Sequence, residues 1–171
     1  MDCENTKPGM ADGKQLFVPY KEVLDIYKNG LHVPEDVTLM WTDDNYGYIR
    51  HYPDSTERAR KGGNGLYYHV SYWGAPQDYL WLGSFSPRLM YHQMREAYRR
   101  GVQQGWVLNV GDIKPAEFLI EEWMSLAWDG FTDKKDEVED MMRSFYAREF
   151  GDCNADNIVR MMNEWYALAF E

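Results

Sequence analysis

The sequence predicts an α/β fold: a parallel sheet made from about three to four β/α units, followed by a C-terminal helical hairpin. Three observations lead there. Compact apolar runs of strand length recur at Val37 to Trp41, Leu66 to Val70 and Trp106 to Val110, each ending in a polar or Gly/Pro loop, as strands buried on both faces do. Helical patterns alternate with these runs, which indicates parallel pairing. From Thr132 onward only helical patterns remain.

Taken in order, residues 1 to 16 are polar and contain Gly and Pro, and so read as a loop entry. PYKEVLDIYKNG then sets Val23, Leu24, Ile26 and Tyr27 at helical spacing, opened by Pro19 and stopped by Gly30, which predicts a short helix. The first apolar run follows the turn-prone Pro34-Glu35-Asp36. Between the second and third runs, Leu89, Met90, Met94, Ala97, Tyr98 and Val102 keep helical spacing after Ser86-Pro87. PAEFLIEEWMSLAWDG is broadly apolar, with Phe118, Ile120, Trp123, Met124, Ala127 and Trp128, and is expected to be largely buried. KKDEVEDMMRSFYAREFG and NADNIVRMMNEWYALAF are amphipathic helices separated by Gly151-Asp152, with Asp or Asn available as a cap.

Composition narrows the function. The 171 residues suit one ordinary domain, and 44% hydrophobic content is enough to build a core rather than a disordered chain. Seven Trp and thirteen Tyr exceed what core filling requires and suit contact with sugars or partner surfaces. A formal charge of -10 would repel nucleic acid and anionic lipid, so neither is expected as a partner. An acidic ligand is still compatible, because distant surface charge is screened within about 10 Å. Cys3 and Cys153 have neither disulfide density nor metal-ligand spacing, and no metal is expected. No secretory h-region opens the chain and no apolar run reaches the ~20 residues of a membrane span. There is no G-x-S-x-G, H-E-x-x-H or P-loop, and Gly62-Gly63-Asn64-Gly65 precedes a strand rather than following one, which fails the dinucleotide context.

In parallel β/α folds the ligand site forms from the loops leaving the carboxyl ends of the strands. The first such loop, Trp41 to Arg50, carries Asp43, Asp44, Asn45 and Arg50. Capping of the turn and an internal ion pair would explain those residues without any ligand. The second carries His69, Tyr72 and Trp73, whose rings suit a pyranose face, although a strand-end His is often a hydrogen-bonded structural group. The third carries Asn109, Asp112, Lys114 and Glu117 and leads into a helix N-terminus, an additional anion site. Glu117 also fits an ordinary acid in a first helical turn.

The blocks VPEDVTLMWTDDNYGYIRHYP, GGNGLYYHVSYWGAPQDYLWL and WVLNVGDIKPAEFLIEEWMSLAWD closely resemble glycoside hydrolase family 115 over residues 17 to 129. Residues 137 to 170 resemble the start of the helical domain that follows the barrel in that family. The resemblance implies a partial (β/α)8 TIM-type barrel at 1–131 and the start of an α-helical domain at 132–171. It also implies an inverting α-glucuronidase that removes glucuronic acid or its 4-O-methyl ether from xylan or glucuronoxylan, without a metal or organic cofactor. Members are much longer, so missing parts of the same polypeptide would close the barrel, with self-association into a homo-oligomer as the alternative. Secretion or periplasmic location is expected for the family.

Inversion needs a general acid and a general base with carboxyl groups about 6.5 to 9.5 Å apart. Adjacent residues point to opposite sides of a strand, so at most one of Asp43 and Asp44 is expected to act directly. Glu117 or Asp112 is the candidate second carboxylate, unless that group lies in barrel strands outside this chain. Asn45, Arg50, Asn109 and Lys114 are expected to hold hydroxyls and the uronate, Arg50 in bidentate fashion. Two other readings stand beside this one. A noncatalytic glycan module would use Tyr72, Trp73, Tyr79 and Trp81 as a platform, and a protein-interaction domain would use exposed Met141, Met142, Met161 and Met162.

Overall fold

A computed structural model of the chain describes residues 13–75, 78–80, 82–132 and 134–169. Its four strands are β1 (Leu16–Phe17), β2 (Thr38–Thr42), β3 (Asn64–His69) and β4 (Trp106–Asn109). They pair in sequence order, and all three pairings are parallel. Six helices, α1 (Glu22–Lys28), α2 (Ser55–Arg58), α3 (Pro87–Arg99), α4 (Glu117–Asp129), α5 (Glu137–Phe150) and α6 (Asp152–Ala169), complete the described elements. Sequential parallel strands with helices form the parallel sheet that the sequence predicts, consistent with the arc of a (β/α)8 barrel that the resemblance implies.

Register divides the sheet into two faces. Trp41 pairs with Leu66 and Leu66 with Trp106, while Tyr68 pairs with Leu108. All of these pack into the main core with Met90, Met94, Ala97, Leu119, Trp123 and Leu126. Tyr68 stacks on Trp123 at 5.6 Å between ring centroids, locking β3 to α4. The opposite face carries Met40 beside Gly65, Thr42 beside Tyr67, and His69 beside Asn109. This second face is the one turned away from the helices.

Two elements escape the sequence patterns. β1 has only two residues, aligned with Thr38 and Leu39, and a pair of apolar residues makes no run. α2 is a single turn, closed by a reciprocal cap in which Asp54 accepts from the Glu57 N–H and Glu57 accepts from the Asp54 N–H. The loop-entry reading for residues 1 to 12 lies outside the described residues.

α4 corrects one expectation. It buries Phe118, Leu119, Glu122, Trp123 and Leu126 on one side only, while Met124 and Trp128 face solvent, Trp128 at 91% exposure. The buried stripe also includes a carboxyl group: Glu122 is fully covered, and neither of its oxygens has a hydrogen-bond partner among the described residues. Burial pushes its pKa well up, and the Arg88 charge offsets this only in part.

α5 and α6 form the expected hairpin. Their shared cluster, Val138, Met142, Phe145, Tyr146, Val159 and Tyr166, also takes in Phe118 of α4. The interaction-domain reading loses most of its methionines here. Met142 is fully buried and Met141 and Met162 are partly buried against the core, leaving Met161 exposed.

Candidate active site

Asp43 leaves the end of β2 and bends back under its own loop. One oxygen accepts the backbone N–H of Asn45 at 2.8 Å and that of Gly47 at 3.4 Å. The other reaches across to β3, accepting the His69 backbone N–H at 3.0 Å and lying 2.7 Å from the His69 ring Nδ1. The Asp43 side chain has no solvent exposure, so its oxygens are satisfied by directed protein donors rather than by water.

The loop can make this turn because Gly47 sits at φ +86° against the Phe85 ring, where a Cβ would lie 2.4 Å from Cζ. The Gly47 carbonyl accepts the Tyr68 hydroxyl at 2.7 Å. Asn45, also left-handed at φ +68°, turns its side chain to accept the Tyr20 hydroxyl at 2.7 Å.

His69 is the hub of an aromatic cage. Tyr20 stacks on it at 5.8 Å, and Tyr67 and Tyr72 meet it edge-on at 4.9 and 5.6 Å. Nδ1 faces the Asp43 carboxylate, so a proton on that nitrogen is donated to it. Asn109, beside His69 in the register, donates to the Tyr67 hydroxyl at 2.6 Å. Lys21 donates to the Tyr72 hydroxyl at 2.6 Å. That ammonium and then the Tyr20 hydroxyl pull the Tyr72 phenol below its ordinary pKa, while burial first and the Tyr72 contact second raise that of Tyr20.

Asp44 finds its partners within its own loop. It accepts the backbone N–H groups of Tyr46 and Tyr48 at 3.0 and 3.1 Å and pairs with Arg50 Nε at 2.6 Å. Its side chain keeps 20% exposure. Arg50 also lies 5.0 Å from the Tyr48 ring, so it already has an acid and an aromatic partner.

The third loop splits. Asn109 joins the cage, whereas Lys114 and Glu117 bond to each other at 2.5 Å. That pair lines a groove with Glu121, Tyr146, Arg148 and Tyr166 of the helical side, and the Lys114 ammonium holds the Glu117 carboxyl below its ordinary pKa. Asp112 is exposed. Among the described residues, no hydrogen bond or ion pair links these three to the His69 cage.

Trp73 projects into solvent with 82% exposure, next to Tyr72. Tyr72 pairs through its backbone with Tyr79, whose ring stacks on Phe85 and whose buried hydroxyl has no partner among the described residues. Trp81 lies outside the described residues. Sequence reading missed Tyr20, Lys21 and Tyr67. Tyr67 carried a usable signal, since it shares strand parity with His69. Tyr20 and Lys21 carried none, because they precede a helix and reach the site only through the sheet.

A barrel arc with an Asp-anchored histidine, an amide and several phenols at its strand ends has the make-up of a substrate mouth in a β/α barrel enzyme. The chain belongs to glycosyl hydrolase family 115, whose model matches residues 3–171. It is also similar to the solved structure of a 4-O-methyl-α-glucuronidase of that family with specificity for decorated arabinogalactans. The two share 59% sequence identity at a TM-score of 0.84, over 91% of this chain and 20% of that one. The chain thus spans about a fifth of the length of that relative. No curated protein matches it.

Proposed function

We propose that this chain is part of an inverting α-glucuronidase that releases glucuronic acid or its 4-O-methyl ether from glycan side chains. The observation that carries the reading is the Asp43–His69 contact at 2.7 Å, which fixes a histidine among phenols and an amide at the strand ends. Phenols and amides are suited to sugar hydroxyls, and flat rings to the apolar faces of a pyranose. Residues 1–131 would then supply barrel and 132–171 the start of a helical domain.

Within the aspartate pair the roles divide by access. Asp43 spends both oxygens on protein donors and is a positioning residue for His69. Asp44 also spends both oxygens on protein donors, the Tyr46 and Tyr48 N–H groups and Arg50, but keeps 20% exposure, so it is the member that a substrate or its water can reach. The second carboxylate of an inverting pair would come from Glu117, Asp112 or a strand outside this chain.

The test is release of 4-O-methylglucuronic acid by a polypeptide extended in both directions, offered glucuronoxylan and, separately, a glucuronic-acid-decorated arabinogalactan. Release from either polymer is the expected result, and the choice between them sets the substrate class. A well-folded extended protein that released uronic acid from neither would refute the proposal.

A further inference from the structure

The three side-chain cations at the strand ends are in different states. Arg50 is paired with Asp44 at 2.6 Å and Lys114 with Glu117 at 2.5 Å. Lys21 makes no ion pair among the described residues. Its ammonium donates to the Tyr72 hydroxyl and lies 5.2 and 5.3 Å from the Tyr20 and Tyr72 ring centroids. Both of those rings pack on His69, so Lys21 forms part of the cage wall.

Its backbone is unusual as well. Lys21 holds φ +52° and ψ -123°, a conformation that L residues other than glycine rarely take. Such outliers persist only where the surroundings hold them in place, and they cluster at ligand clamps. Here the chain must reverse between Tyr20, whose hydroxyl is bonded to Asn45, and the first turn of α1, which leaves Lys21 facing the cage.

We infer that Lys21 is the residue that binds the carboxylate of a uronic acid, with the Tyr72 hydroxyl as its companion donor. The chemistry is specific to an acidic sugar. An ammonium without a counter-charge, held by neutral phenols, has a place for one carboxylate and gains nothing from a neutral hexose of the same shape. Arg50 and Lys114 would have to give up an existing acid partner to do the same work. The inference rests on the glucuronidase reading and sharpens it by naming the specificity residue.

The test compares binding of methyl α-glucuronopyranoside and its 6-methyl ester to the 171-residue chain, followed by tryptophan fluorescence or calorimetry. The acid should bind at least about 10-fold tighter than the ester, the scale of one charge-assisted hydrogen bond. Lys21→Gln should abolish the preference for the acid over the ester and Lys21→Arg should retain it, an outcome that a purely structural lysine would not produce. If Lys21→Gln keeps the preference, the lysine assignment is wrong and the glycan site stands. If the unsubstituted chain binds neither ligand, the glycan site and this inference fall together.

Discussion

Asp43 grips His69 at two points, the backbone N–H at 3.0 Å and the ring Nδ1 at 2.7 Å. The ends of β2 and β3 are thereby held in fixed relation by a single carboxylate oxygen. The other oxygen of the same group organises the loop that carries Asn45. One buried carboxyl group therefore sets both the histidine and the loop beside it.

Substitution of the two neighbouring aspartates should separate structure from chemistry. Asp44→Asn should lower the turnover of the extended protein by about 100-fold, the usual size of lost acid or base help. Its stability should change by less than about 1 kcal/mol, because the Asn oxygen can still accept the Tyr46 and Tyr48 N–H groups and the Arg50 side of the ion pair is 64% exposed. Asp43→Asn should lower turnover as well, and should also cost roughly 1–3 kcal/mol by leaving buried donors short of an acceptor. Urea unfolding read alongside kcat checks both, and near-normal rates in both variants would remove the aspartates from the mechanism.

Gly47→Ala tests the loop geometry. The added methyl would sit 2.4 Å from Phe85 Cζ on a residue held at φ +86°. Left-handed backbone and overpacking together should cost about 2–4 kcal/mol. A melting temperature unchanged from the parent chain would show that the loop is free to rearrange.

Glu122 makes the stability of the chain depend on pH in a definite direction. Its folded pKa is raised well above the ordinary 4.5 by burial, so the folded state holds the proton more tightly than the unfolded one. The protonated acid's contribution is fully present below pH 4.5 and is lost progressively as pH rises toward the folded pKa. Glu122→Gln should flatten that part of the curve, and Glu122→Met should be more stable than the parent at pH 8. Denaturation midpoints measured from pH 4 to 8 decide it, and parallel curves for parent and Glu122→Gln would be the contrary result.

Trp73 and Trp128 provide a paired control. Both are exposed, at 82% and 91%, but only Trp73 lies in the strand-end loops. Trp73→Ala should weaken binding of a uronic-acid-decorated oligosaccharide several-fold, as loss of one stacked ring does. Trp128→Ala should leave it unchanged. The opposite pattern, measured by titration calorimetry, would move the glycan surface to the helical side.

The sequence by itself determined the parallel α/β plan, the locations of β2 to β4 and of α1 and α3 to α6, and the placing of the polar residues at strand ends. Apolar periodicity and Gly/Pro punctuation are local signals, and β2, with Thr38 to Trp41 buried, follows them directly. Only the tertiary structure decided which of those polar residues meet. Register sets His69 beside Asn109, the Gly47 turn shapes the loop that holds Asp43 against His69, and the reversal at Lys21 brings to the same place Tyr20 and an ammonium that has no ion pair among the described residues. It also gave Arg50 and Lys114 acid partners and buried Glu122 in α4. Partner choice depends on distances set by residues far apart in the chain, whereas a pattern of residue types records only what each segment can bury or expose.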